Sequence, residues 1–107
     1  MSSAKASSSG DETLLASRAS IPDHVVFRAF AHETVVLNLE TGKYHGLDPV
    51  GGRLLELLAR AETLRDAAAQ IAAEYGKPAD EVEADVLEFC RELRERGLVH
   101  LNGDASH

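Results

Sequence analysis

A chain of 107 residues fits one domain around a single core, since such cores commonly serve roughly 100–150 residues. Hydrophobic residues make up 44% of it but aromatics only 5%, with no tryptophan, so the packing must come from Leu, Val, Ile and Ala. A formal net charge of −7, unbroken by any run of Lys and Arg, argues against nucleic acid as a partner, and no stretch approaches the ~20 apolar residues of a membrane-spanning helix.

The N-terminal MSSAKASSSGDE lacks the apolar segment of a secretion signal, so a cytoplasmic protein is expected. Residues 1–20 are rich in Ser and Ala and offer little large apolar surface against the entropy of ordering them. They are expected to form a disordered tail in which only Leu14 and Leu15 could dock. The folded domain is expected over residues 21–101, with a flexible C-terminus at 102–107.

Residues 24–30 (HVVFRAF) and 33–39 (ETVVLNL) cluster β-branched and aromatic side chains and predict two paired strands. In the second, Val35, Leu37 and Leu39 alternate with Thr34, Val36 and Asn38, the period of a sheet with one buried face. Glu40-Thr41-Gly42 predicts a hairpin turn, with glycine free to take positive φ. Residues 43–47 (KYHGL) return as a third strand, and no later strand follows that could cover it. A free sheet edge is the consequence.

Asp48 can cap a helix and Pro49 can occupy its first position without losing a hydrogen bond, which predicts a helix over residues 49–60 with Leu54, Leu57 and Leu58 facing inward. Its Gly51-Gly52 pair costs about 1 kcal/mol per residue relative to alanine, which points to a close backbone approach there. Thr63, followed by Asp66, opens a second helix carrying Leu64, Ala68, Ile71 and Tyr75, and Gly76 with Pro78 closes it. The third helix, residues 79–96, bears Val82, Val86, Phe89 and Leu93 on one stripe that Leu87 and Cys90 widen. Gly97 ends it, and residues 98–101 (LVHL) are expected to fold back. Three strands followed by three helices predict an α+β fold in a winged-helix-turn-helix-like arrangement, a three-stranded antiparallel sheet covered on one side by helices.

Catalytic chemistry finds little support in these residues. The five histidines, His24, His32, His45, His100 and His107, show neither helical i, i+4 spacing nor cysteine neighbours, so no metal site is expected. Cys90, the single cysteine, sits in an apolar helical stripe as a small hydrophobe. The serines lie in residues 1–20 and at Ser106, away from any nucleophile elbow, and Gly51-Gly52 lacks the lysine of a phosphate loop. No cofactor is expected. The carboxylates Asp80, Glu81, Glu83, Asp85, Glu88, Glu92 and Glu95 read as a solvated helix face. What remains is the free edge, whose unpaired N–H and C=O groups can take an extended peptide as an added strand beside the broad apolar arc of the third helix.

The run ETVVLNLETGKYHGLDPVGGRLLELL, then TLRDAAAQIAAEYG, then ADVLEFCRELRERGLV resembles the PqqD-like peptide chaperone family over residues 24–101. Gly42-Lys43-Tyr44 before Leu47-Asp48, and Asp85-Val86 with Phe89, Leu93 and Gly97-Leu98, carry the resemblance; at Leu47-Asp48 many relatives have Leu-Asn, and either residue caps a helix well. The resemblance implies a recognition element that binds the leader of a ribosomally made precursor peptide as a strand beside Lys43, Tyr44, His45, Gly46 and Leu47. Val82, Asp85, Val86 and Phe89 would face or support that leader. The chain is more similar to the standalone leader-binding elements of split lasso-peptide leader peptidases than to the quinone-cofactor chaperones. That implies a non-enzyme, which delivers its precursor leader peptide to a leader peptidase or other maturation enzyme; a monomer or weak dimer is expected.

Three alternatives stand beside this one. A pyrroloquinoline quinone biosynthesis chaperone would use the same groove. A winged-helix DNA-binding regulator would match the helix order, but residues 80–96 carry seven acidic and three basic residues where a recognition helix needs the reverse. A structural dimer paired through the same edge is a third possibility.

Overall fold

The computed structural model describes residues 8–101; residues 1–7 of the expected tail and the expected flexible C-terminus at 102–107 lie outside them. In chain order the elements are α1 (Ser8–Leu15), β1 (Ala19–Ser20), β2 (Val25–Ala29), β3 (Thr34–Asn38), β4 (Tyr44–Leu47), α2 (Pro49–Arg60), α3 (Leu64–Tyr75), α4 (Ala79–Glu95) and β5 (His100–Leu101). The fold is α+β, with β2, β3 and β4 forming an antiparallel meander in that order and α2, α3 and α4 corresponding to the three expected helices.

The turn between β3 and β4 is built by Asn38 and Gly42. Gly42 takes φ +76° and its N–H donates to the Asn38 carbonyl at 2.8 Å, while Asn38 Oδ1 accepts from the Glu40 N–H at 2.9 Å. That second role explains which face of β3 is buried. Thr34, Val36 and Asn38 point into the molecule, whereas Val35 and Leu37 are only half-buried on the other side and Leu39 is 57% exposed. Asn38 can be buried because its side chain is satisfied within the turn.

Thr34 is buried for a different reason: it sits under Gly52. A Cβ at Gly52 would collide with the Thr34 Oγ and lie 2.8 Å from the Thr34 Cβ, inside contact distance, whereas one at Gly51 would press only on the end of the Asp48 side chain, at 3.3 Å, and meet Leu47 Cβ and Phe89 Cε1 at an ordinary 3.5 Å. The glycine pair thus divides into one obligatory position, where α2 meets β3, and one permissive one. Gly52→Ala is expected to lower stability by about 1–3 kcal/mol through overpacking, while Gly51→Ala should be neutral or slightly stabilising through helix propensity. Chemical denaturation of the two variants checks this; equal midpoints would show that Thr34 moves aside freely.

The expectation of a disordered tail is corrected over residues 8–20. α1 packs against α3 and α4, and β1 pairs antiparallel with β5 in the register Ala19↔Leu101 and Ser20↔His100. Leu15 and Ala19 are 3% and 2% exposed and belong to the core. Polar contacts fix the segment from outside. Arg91 donates to Asp11 at 2.6 Å, Arg65 donates to Glu12 at 2.5 Å, and the Leu64 N–H donates to the Ser17 carbonyl at 2.9 Å. Burial of Leu15 and these long-range bonds together offset an ordering entropy that the local sequence alone could not meet.

The helix ends follow the expected capping chemistry. Asp48 accepts from the Gly51 N–H at 2.7 Å ahead of Pro49, Thr63 Oγ accepts from the Asp66 N–H at 3.1 Å, and Gly76 closes α3 with φ +66°. Leu55, Leu58, Leu64, Val86, Cys90, Leu98 and Leu101 are fully enclosed at the centre, with α2 packed on β3 and β4 and the β1–β5 pair joined to α2 through β1. On the surface, Arg53 of α2 donates through Nε and Nη2 to both carboxylate oxygens of Glu74 on α3, at 3.0 and 2.6 Å, and through Nη1 to Glu56 at 3.1 Å. The Arg53 hydrogen bonds hold the Glu74 carboxyl below the usual carboxylate range. This clasp fixes α2 against α3, and it is solvent-exposed, so its contribution to stability is modest. Among the described residues no helix is long and apolar enough to cross a membrane.

Candidate functional site

β4 is an edge, and its hydrogen-bonding parity is fixed by the turn that precedes it. The Asn38 N–H donates to the Lys43 carbonyl at 2.9 Å, and residues pair as Val36↔His45 and Thr34↔Leu47. Because antiparallel ladders alternate, His45 and Leu47 turn their N–H and C=O toward β3, and Tyr44 and Gly46 turn theirs outward. Among the described residues no strand pairs with that outer side. The ordered N-terminal segment does not occupy it, because β1 is committed to β5.

The side chains alternate as well. His45, opposite Val36, and Leu47, opposite Thr34, share the helix-covered face; Tyr44, opposite Leu37, and Gly46, opposite Val35, share the other. Beside the first set runs α4, with its C-terminal end near Lys43 and its middle near Leu47. Three adjoining hollows follow it. One of about 220 Å³ is lined by Asn38, Thr41, Lys43, His45 and Arg96. The next, about 400 Å³, is lined by Gly46, Leu47, Asp48, Val50, Gly51, Leu54, Asp85, Phe89, Glu92 and Arg96. The last, about 220 Å³, lies among Val50, Leu54, Ile71, Tyr75, Lys77, Val82, Asp85 and Val86. Arg96 joins the first to the second, and Val50, Leu54 and Asp85 join the second to the third, so the three form one trough.

Most of the residues singled out from sequence converge here, in different capacities. Lys43, His45, Gly46 and Leu47 form the sheet side, Phe89 is a half-buried wall against Gly51, and Asp85 stands exposed on the rim. Val82 and Val86, 3% and 0% exposed, are the buried floor. Tyr44 is set apart: its side chain is 72% exposed on the opposite face of the sheet, so only its backbone faces the edge. Sequence reasoning missed Val50, Leu54, Ile71, Tyr75 and Arg96. Val50, 46% exposed immediately after the helix-starting proline, was the one signal available, an apolar residue at a helix start with no inward role.

Cys90 is fully enclosed, and burial pushes its thiol up to about 12 with Arg94 opposing only in part. At neutral pH it stays protonated, and it lines none of the three hollows. Among the described residues no group of His, Cys, Asp and Glu is placed to hold a metal ion.

A family model described as Coenzyme PQQ synthesis protein D (PqqD) matches residues 33–99, which span β3 through α4 and so include the whole trough. The chain belongs to the PqqD family. Among solved structures, this PqqD-family chain is similar to TbiB1 in complex with the TbiA(beta) leader peptide, with 37% identity over 76% of this chain and 94% of that one and a TM-score of 0.70. It shares its fold with a lasso peptide synthetase B1 complexed with the leader peptide, at 18% identity, 78% and 98% coverage and a TM-score of 0.70. No curated protein sequence matches it.

Proposed function

We propose that this chain binds the leader segment of a ribosomally synthesised precursor peptide in lasso peptide biosynthesis and presents it to a separate leader peptidase or other maturation enzyme. The observation that carries the reading is the outer side of β4, at Tyr44 and Gly46, which no strand among the described residues pairs, lying next to an apolar trough along α4. An extended leader would continue the sheet through those backbone groups, and every second side chain would drop toward Phe89, Leu47 and the Val82–Val86 floor. Lys43, His45, Gly46 and Leu47 form one bank in this reading, and Val82, Asp85, Val86 and Phe89 the other. The likeness to TbiB1 in complex with the TbiA(beta) leader peptide, at 37% identity, supports a leader peptide as the guest, and the fold shared with a lasso peptide synthetase B1 complexed with the leader peptide agrees with a lasso precursor.

The reading makes the chain a binding element without a catalytic residue, working in the cytoplasm where precursor peptides are made. Its acidic α4 surface, with Asp85, Glu88 and Glu92 exposed, opposes a duplex in the same place.

Val50→Asp tests it cleanly, because Val50 is exposed, sits in the first turn of α2 where a carboxylate is favourable, and lines two of the three hollows. Titration of labelled TbiA(beta) leader should give saturable one-to-one binding to the native chain, weakened at least about tenfold in the variant through an unpaired charge in an apolar seat. Equal affinities, with both proteins folded, would remove the trough from the binding site.

A further inference from the structure

The trough is electrically uneven along its length. Its middle is lined by Asp48, Asp85 and Glu92, whereas its end beyond His45 carries Lys43 and Arg96. In a chain of net charge −7 these two cations stand together at one hollow with no carboxylate in its lining. Arg53, Arg65 and Arg91 each hold a carboxylate, yet among the described residues neither Lys43 nor Arg96 forms an ion pair. They come from distant parts of the chain, the residue just before β4 and the C-terminal cap of α4, and meet at one hollow of about 220 Å³ whose other walls, Asn38, Thr41 and His45, are polar.

We propose that this hollow is a carboxylate subsite, which takes an Asp or Glu side chain of the bound leader and thereby sets its register. The inference rests on the leader-binding reading and adds to it the chemistry of one leader position. A carboxylate is repelled from the middle of the trough by Asp48, Asp85 and Glu92 and is attracted to the end where two cations, Lys43 and Arg96, converge without partners among the described residues, whereas the far end holds a single cation, Lys77, beside Asp85. Complementary charge of this kind contributes register and selectivity more than raw affinity.

The strand geometry gives the position. His45 and Leu47 share one face of β4, and Lys43, whose carbonyl accepts from the Asn38 N–H, lines the same hollow as His45, so leader side chains that reach the hollow and those that reach Phe89 must share a face too. At ~3.3 Å per residue, the acidic residue lies an even number of positions, roughly two to four, from the apolar residue seated on Phe89. An acidic residue at an odd spacing would project onto the opposite face, beside Tyr44 and Leu37.

The experiment uses the TbiA(beta) leader and a positional-scanning set derived from it, in which each residue in turn is Asp, Arg or Leu. Binding is measured to the native chain, to Lys43→Gln/Arg96→Gln and to Lys43→Glu/Arg96→Glu. Both residues are exposed at β4 and at the end of α4, so the variants keep the fold. The native chain should prefer Asp over Arg by about tenfold at one position, at even spacing from the apolar anchor; the neutral pair should lose that preference, and the reversed pair should invert it. The preference should shrink as salt rises. Should the native chain bind the set and respond to Val50→Asp, yet show no Asp preference or keep it in the reversed variant, the carboxylate subsite is overturned while leader binding stands. Absence of binding by the native chain to every peptide overturns both. Salt-dependent binding of duplex DNA that the reversed pair abolishes, with peptide affinities untouched, would assign the cations to nucleic acid and overturn the proposal.

Discussion

Tyr44→Pro is expected to weaken leader binding by tenfold or more while leaving the protein folded. The Tyr44 N–H faces away from β3, so proline there removes no bond of the native ladder, and edge strands accept proline in that orientation. A leader strand would lose the donor it pairs with, worth about 0.5–1.5 kcal/mol net, and would meet the pyrrolidine ring where its own backbone must lie. The two effects together exceed 1.4 kcal/mol, the equivalent of tenfold in affinity. Tyr44→Ala is the companion, because the tyrosine side chain projects from the other face of the sheet; it keeps the N–H and should bind within about threefold of the native chain. Calorimetric titration of the two, with thermal melts to confirm folding, separates main-chain pairing from side-chain contact. Were alanine to cost as much as proline, Tyr44 would act through its ring and strand addition at β4 would be wrong.

Deleting residues 1–20 is expected to cost several kcal/mol of stability, although the deleted stretch has the composition of a linker. Leu15→Ala alone should cost about 2–4 kcal/mol, as truncation of a fully buried leucine does, and the deletion also strips β5 of its partner and leaves Leu101 and Leu64 uncovered. For a domain of this size each kcal/mol moves the midpoint by about 4–8 °C, so Leu15→Ala should melt at least about 8 °C below the native chain. Unchanged melting of the deletion variant would mean that α1 and β1 contribute nothing to the core.

The contrast between these two sites shows where sequence reasoning succeeds. The edge was visible because its causes are local: β-branched runs, a turn at Gly42, and Asp48-Pro49 switching the chain into a helix before another strand could form. Capping at Thr63 and Gly76 was equally plain, since those residue types act on backbone groups within one turn. The N-terminal segment has no such cause. Its order comes from Arg91 and Arg65, eighty and fifty-three residues from their acidic partners, and from two-residue strands too short to show a period.

The buried face of β3 was ambiguous for a related reason. Both sets of alternate residues contain apolar groups, and the choice between them is made by Gly52 seating Thr34 and by Asn38 serving the turn, neither of which hydropathy records. The trough was half visible. The stripe on α4 and the residues of β4 could be read, but Val50, Leu54 and Arg96 join them only once α2 has folded back across the sheet.

Amide exchange and chemical shifts of the native chain, followed by NMR during titration with leader peptide, test strand addition at β4 most directly. The amides of Tyr44 and Gly46 should become protected while those of His45 and Leu47, already bonded to β3, stay as they were, and the shifts should run along α4 through Phe89. Protection arising instead at the outer edge of β2, with Tyr44 and Gly46 still exchanging freely at saturation, would contradict it.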